Sequence, residues 1–370
     1  MLNLGCRLCN GSSQAPIKLP YGYYSRASFG SSGKRRAVQY PTSSASVSDT
    51  AATSFFSSQS SSSSTATTQA QHTTPPITYC MDLVKKRDYE GYLCSLLLPK
   101  GPREVAFAVR ALNIELANIG EQIHRYGYGS AGVFRLQFWK DTVDGLYGDK
   151  SKGPLPRQPT AEALQLCATP PAGRVKKQRL SDLISARQMA LESQGWETTE
   201  LFELYAQKAH GSAILATLDA VGYDEEKGEE MVGWCDHVTK HVGIALGYSY
   251  LLKSMAPLAS AEVVLIPKDM LARRRVTEED VIRKRLDKED AKMLLWDLGD
   301  KLHGHLEEAR SLKYRLPKKL RPHFLGATCA YRFLHRLVQY NMNVFEDALQ
   351  RKTTLLPFWL ALEKNVWRGY

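Results

Sequence analysis

Gly243-Ile-Ala-Leu-Gly247-Tyr-Ser-Tyr250-Leu-Leu-Lys253-Ser254-Met-Ala-Pro-Leu258-Ala-Ser-Ala-Glu262-Val-Val-Leu-Ile-Pro267 starts on small residues, runs through an apolar middle and stops at a proline. Two aspartates four residues apart would lie one helical turn apart on the same face. Facing a second such helix, they could hold Mg²⁺ ions that bridge to diphosphate oxygens, since magnesium combines a few carboxylates with substrate phosphates. The metals would then stabilise the charge that develops as diphosphate leaves. This stretch has no acid before Glu262. It therefore offers no such pair.

The stretch resembles a signature of squalene and phytoene synthases, in which Gly-x-Ala leads to Gln-x-x-Asn-x-x-Arg-Asp-x-x-x-Asp and then Tyr-Leu-Pro. Laid on without a gap from Pro267 backwards, the two aspartates fall on Ser254 and Leu258. The glutamine falls on Gly247, the asparagine on Tyr250 and the arginine on Lys253. Leu97-Leu98-Pro99-Lys-Gly-Pro-Arg103-Glu-Val-Ala-Phe107-Ala108 is similar to the run that leads into the family's first aspartate motif. Counting on from Arg103 puts the aspartate positions on Ala117 and Glu121, so one carboxylate of the four remains. Glu115 does not replace the lost partner, because six residues turn a helix by about 600° and point it away from Glu121. Loss in both motifs together is better explained by a non-enzyme than by drift in one. Ala117, Glu121, Ser254 and Leu258 are therefore degenerate positions, and no catalytic, metal or cofactor-binding residue is expected.

Further segments carry the same resemblance in family order. Phe134-Arg-Leu-Gln-Phe138-Trp139-Lys-Asp141 is similar to an Arg-x-Gln-x-Trp-x-Asp segment, and the loop Gly153-Pro-Leu-Pro-Arg-Gln-Pro159 follows it. Leu180 to Ile184 begins the next segment. Leu204-Tyr205-Ala206 and Ala209-His210-Gly211-Ser212 match a stretch where a helix passes close to a neighbour, and small residues at 206, 209 and 211 allow that approach. In the enzymes the tyrosine matching Tyr205 lines the prenyl pocket. The resemblance spans roughly 78–350. It implies an all-α, isoprenoid-synthase-like single helical domain around a central cavity, which Leu251, Leu252, Met255 and Leu258 would make apolar.

Periodicity agrees with a helical chain from Thr78 onward. Leu93, Leu96 and Leu97, then Val105, Ala108, Val109 and Leu112, recur at three and four residues. Pro99 and Pro102 mark a break. Asp224 to Glu230 reads as an acidic loop, and Glu278 to Arg310 as a helical stretch broken near Asp287–Asp290. Tyr331 to Leu349 reads as a C-terminal helix burying Phe333, Leu334, Leu337, Tyr340, Val344 and Phe345. No alternating strand pattern of useful length occurs; Val263 to Ile266 is short and meets Pro267.

The first 75 residues differ from the rest. They hold long Ser/Thr runs, six basic residues from Arg7 to Arg36 and one acid, Asp49. This Ser-rich, Arg-containing, acid-poor composition is that of an organellar transit peptide followed by a disordered Ser-rich segment. The domain division expected is thus 1–75 and 76–370. That first segment supplies nearly half of the formal charge of +11. Arg273–Arg275, and Arg315 with Lys318, Lys319 and Arg321, remain as basic clusters. No nucleic-acid-binding motif accompanies them, so no nucleic acid is expected; they read as solvated faces, with peripheral contact to anionic lipid open. Of seven cysteines, the five in the folded part lack paired spacing, and the one Cys-x-x-Cys, Cys6 and Cys9, lies in the first segment without a partner set, so neither a disulfide framework nor a cysteine zinc site is expected. No apolar run reaches the roughly 20 residues that span a bilayer.

Asp141 with Asp144 and Asp297 with Asp300 read as solvated helix faces. His237 and His241 stand at i,i+4, a spacing that can share a metal, but no third ligand is evident nearby in sequence. His303 and His305, two apart, do not share a face.

Within the superfamily, one branch joins a mitochondrial presequence to a synthase-like domain with degraded aspartate motifs: assembly factors for respiratory complex I. Cys80–Asp88 with Tyr89-Glu-Gly-Tyr92-Leu, Arg110-Ala-Leu-Asn113-Ile-Glu115-Leu-Ala117, and Arg135-Leu-Gln137-Phe-Trp139 look like it. That resemblance implies a non-catalytic protein on the matrix side of the inner membrane, peripherally attached, with complex I subunits or other assembly factors as partners. Two alternatives stay open: a prenyl-transferring enzyme with relocated acids, for instance Glu121 with Glu262, and an isoprenoid- or lipid-binding carrier without turnover.

Overall fold

The computed structural model describes residues 75–370 except 127–128, 170–172, 194, 225–227, 286–287 and 368. The presequence expected over residues 1–75 lies outside the described residues save for Pro75. Every element described is helical, and no strand occurs among the described residues.

Helix α1 (Pro76–Arg87) carries proline in its first turn, where the missing N–H would have no intrahelical partner anyway. Asp88 separates it from α2 (Tyr89–Leu96) and caps α2 by accepting from Gly91 N at 3.0 Å. The chain breaks at Leu97–Pro99, as the prolines predict, and α3 (Lys100–Tyr126) follows. Then come α4 (Gly129–Leu146), the short α5 (Pro159–Ala163) and α6 (Gln165–Ala168), and α7 (Lys177–Glu192). Cys80 and Val84 of α1, Val105, Leu112 and Leu116 of α3, Trp139 of α4 and Leu180, Leu183 and Ile184 of α7 meet in one apolar core.

Helix α8 (Thr199–Ala206) passes through a wide π turn over Gln207–Gly211 into α9 (Ser212–Asp219). The spine of the remainder is α10 (Gly228–Ser260), 33 residues and therefore about 50 Å long. It packs against the α8–α9 segment on one side and against α13 (Glu289–Ser311) and α14 (Gly326–Gln339) on others. Between them run α11 (Lys268–Arg273) and α12 (Glu278–Ile282), the latter closed by a capping box between Thr277 and Asp280. Two short helices, α15 (Asp347–Gln350) and α16 (Leu356–Leu362), end the fold.

The close approach expected at residues 206–211 is where α10 crosses. A Cβ added at Gly243 would lie 2.9 Å from Gly211 N, and one at Gly247 2.3 Å from the Ala206 Cβ. Only glycine lets the two backbones meet there.

Two local expectations change. The helix expected over 331–349 stops at Gln339, because Asn341 and Met342 adopt left-handed backbone (φ 51° and 60°). Their N–H groups return to Val338 and Leu337 carbonyls, a C-terminal motif that asparagine tolerates. Tyr340 is consequently exposed, and Val344 is buried from a turn. The acidic loop is shorter than expected, since Glu229 and Glu230 form the first turn of α10, where the helix dipole favours acids. The break expected in the stretch from 278 holds: it falls between α12 and α13.

Candidate functional site

The middle of α10 faces α2, α3 and the π turn, where Tyr250, Lys253 and Ser254 are each hydrogen-bonded, while the buried Ser249 hydroxyl has no partner among the described residues. Tyr250 donates its hydroxyl to Asp88 Oδ1 at 3.1 Å. The other oxygen of Asp88 takes the Arg110 guanidinium at 2.7 Å. Burial, with Asp88 beside it, pushes the Tyr250 hydroxyl well above the ordinary tyrosine range. His210 from the π turn stacks on Tyr250 with ring centroids 4.9 Å apart. Loss of hydration and the nearby Arg187 bring His210 down to about 3, so it is neutral near pH 7.

Lys253, at the arginine position, is turned the same way. Its Nζ donates to Glu90 Oε2 at 2.6 Å and lies 4.8 Å from the centre of the Phe333 ring. Ser254, expected at the first aspartate position, bonds its own helix, donating to Leu251 O at 2.9 Å. Leu258, at the second, is half-buried, and its carbonyl accepts from Ala261 and Val263, which closes α10. Glu262 is exposed in left-handed backbone (φ 57°) within that closing turn. Leu251, Leu252 and Met255 are buried.

The region of the first motif is also braced internally. Asn113 donates to Ala209 O at 3.1 Å and accepts from Arg187 at 2.9 Å, while Arg187 also donates to the Tyr205 hydroxyl at 2.6 Å. Tyr205 therefore orients an arginine and stacks near Trp196, with centroids 4.6 Å apart. Glu115 accepts from Tyr79 at 3.2 Å. Ala117 is half-buried and offers no ligand. The side chain of Glu121 lies outside the described residues. Ser254 and Leu258 thus offer no carboxylate, and the acids around them, Asp88 and Glu90, are held by cations of α3 and α10.

Other charged groups read from the sequence are paired as well. Asp141 meets Lys152 at 2.9 Å, Asp144 meets Lys177 at 2.8 Å, and Asp297 takes a two-pronged bond from Arg274 at 2.6 and 2.7 Å. In the basic clusters Arg273, Arg275, Arg315, Lys318 and Lys319 are exposed, as expected, and two members are not. Arg274 is the partner of Asp297, and Arg321 is buried and bonds Leu316 O. The five cysteines described are free and buried, with Cys94 and Cys329 sulfurs 3.7 Å apart.

The histidine pair gains what the sequence did not reveal. Glu308 of α13 stands against His237 and His241 of α10, each offering one ligand atom, all within 4.8 Å of one another. His241 Nδ1 also lies 2.9 Å from His305 Nδ1. His305 Nε2 in turn approaches Glu203 Oε1 at 3.5 Å, an oxygen that Tyr248 and Lys301 reach at 2.9 and 3.2 Å. Burial opposes the charge on Glu203, but the hydrogen bonds from His305, Tyr248 and Lys301 outweigh it and hold the carboxyl near 2. His303, as expected, does not share that face; it turns toward Glu307 at 3.8 Å. Glu308 and His305 come from α13 and Glu203 from α8, remote in the chain from His237 and His241, which is why no local spacing signals them.

Residues 84–358 match the family model described as squalene/phytoene synthase. A Bos taurus protein named NADH dehydrogenase (ubiquinone) complex I, assembly factor 6, is 34% identical over 290 residues, covering 78% of this chain and 81% of that protein. Its Homo sapiens namesake is 32% identical over the same shares. Among solved structures, a dehydrosqualene synthase in complex with ligand superposes with a TM-score of 0.61 at 17% identity, over 79% of this chain and 96% of that one. The last similarity establishes the isoprenoid-synthase-like fold alone.

Proposed function

The chain belongs to the squalene/phytoene synthase family, and from that premise we propose that it is a non-catalytic assembly factor for respiratory complex I. One observation carries the non-catalytic part. The α10 positions that would serve a metal-bound diphosphate are given over to holding the fold: Tyr250 to Asp88, Lys253 to Glu90, Ser254 to its own helix. The assembly role rests on relatives bearing that name at about one-third identity along most of both chains. Its partners in this reading are complex I subunits or other assembly factors.

In this reading residues 1–75 direct the protein to mitochondria, and residues 76–370 work on the matrix side of the inner membrane. Among the described residues no helix is long and apolar enough to cross a membrane. Peripheral attachment would use side chains such as Leu355 and Phe358, which are exposed next to Arg351 and Lys352.

Isothermal titration of the full chain with a farnesyl diphosphate analogue, with and without Mg²⁺, tests the first part. No metal-dependent heat is expected; tight Mg²⁺-dependent binding would overturn the non-catalytic reading. Expression in cells deleted for their own assembly factor 6 tests the second. Complex I should return on native gels, and failure of a well-expressed, imported protein to restore it would refute the assembly role.

A further inference from the structure

We infer that His237, His241 and Glu308 form a binding site for a first-row divalent cation of the zinc type, joining α10 to α13. Two imidazoles one turn apart on one helix and a carboxylate from the facing helix are the donor set of three-ligand zinc sites, where water completes the tetrahedron. The spacing fits that cation. His237 Nε2 and Glu308 Oε1 are 3.5 Å apart. Ligands at about 2.0–2.1 Å from a tetrahedral centre are separated by roughly 3.3 Å, so this edge is nearly formed. The remaining ligand atoms lie within 4.8 Å, a gap that side-chain rotation closes.

The neighbours of His241 orient it for the role. Two imidazole nitrogens 2.9 Å apart share a single proton, so one of His241 Nδ1 and His305 Nδ1 donates and the other accepts. Glu203 is an acceptor beside His305 Nε2, which assigns the His305 proton to Nε2 and leaves its Nδ1 as acceptor. His241 then donates from Nδ1, and the lone pair of its Nε2 is free for a metal. A ligating histidine whose other nitrogen is bonded to a carboxylate or its relay is the usual support of a zinc site. His305 and Glu203 are thus positioning residues. Imidazole and carboxylate together suit zinc, and magnesium, which prefers an all-oxygen octahedron, does not fit this set. The site is separate from the degenerate diphosphate motif and does not depend on the assembly-factor reading.

The test is titration of the purified full chain with Zn²⁺ and with Co²⁺, whose visible spectrum reports geometry. It is done in a Cys6→Ser/Cys9→Ser background, because that pair could bind zinc itself. One ion per chain is expected, with a tetrahedral Co²⁺ spectrum free of thiolate bands, displaced by Zn²⁺ and not by Mg²⁺. Because His237 and Glu308 are exposed, His237→Asn and Glu308→Gln should fold and lose binding by tenfold or more. Glu203→Gln should weaken it by about tenfold through His241 alone. Absence of Zn²⁺ binding in the micromolar range, equal binding in the His237→Asn/Glu308→Gln double variant, or preference for Mg²⁺ would each overturn the assignment.

Discussion

The Tyr250 hydroxyl donates to Asp88 Oδ1 at 3.1 Å, joining the middle of α10 to the cap of α2 across 162 positions of sequence. The same carboxylate receives Arg110 at 2.7 Å and Gly91 N at 3.0 Å. Tyr250 in the middle of α10 thus closes a cross-brace with the cap of α2 and with α3. Asp88→Ala should cost about 3 kcal/mol, since it strips the cap and leaves Arg110 without its counter-charge. Tyr250→Phe should cost about 1 kcal/mol, the loss of one hydrogen bond. Urea denaturation measures both, and equal costs would contradict the central place given to Asp88.

The α10 crossing predicts opposite outcomes for two glycine substitutions. Gly243→Ala forces a Cβ to 2.9 Å from backbone that cannot move without parting the helices, and should destabilise by roughly 1–3 kcal/mol. Gly233→Ala, in the same helix with nothing within 4 Å, should stabilise by up to about 1 kcal/mol. Thermal melts of the two proteins, run side by side, decide the matter; shifts of the same sign would show that the crossing is not tight.

Acid should weaken the fold through its buried histidines. His323 donates or accepts at Thr217 Oγ1 across 2.8 Å and is nearly fully buried, and burial lowers it from 6.5 to about 4. It stays neutral in the folded protein over a range where the unfolded chain takes up a proton. Above 6.5 neither state is charged and nothing is lost; between 6.5 and about 4 stability falls as the pH drops. His323→Gln should flatten the denaturation free energy over that window. A slope unchanged by the substitution would mean that His323 does not contribute.

The thiols should be silent in the native protein. Cys80 and Cys235 are fully buried, and loss of hydration pushes both up to about 12. Thiolate is the reactive form, so a disulfide reagent should reach the five cysteines from Cys80 to Cys329 only on unfolding. Reaction of any of them within the dead time at neutral pH would contradict this packing.

Much of the fold was legible in order. Periodicity marked the helices, prolines marked the break before α3, and the small residues at 206–211 marked the place where α10 passes. The stop of α14 was missed: its apolar positions continue the helical period past Tyr340, while Asn341 and Met342 turn the backbone left-handed. Asparagine at 341 was the available signal.

What the residues by themselves determined is the helical architecture and the absence of any acid from 243 to 261, since period and residue type are local properties. Only the tertiary structure decided what the polar side chains of that stretch hold. Ion pairs such as Lys253–Glu90 and clusters such as His237, His241 and Glu308 join side chains far apart in sequence. Their partners are set by how helices pack, and helix packing leaves no fixed spacing in the chain.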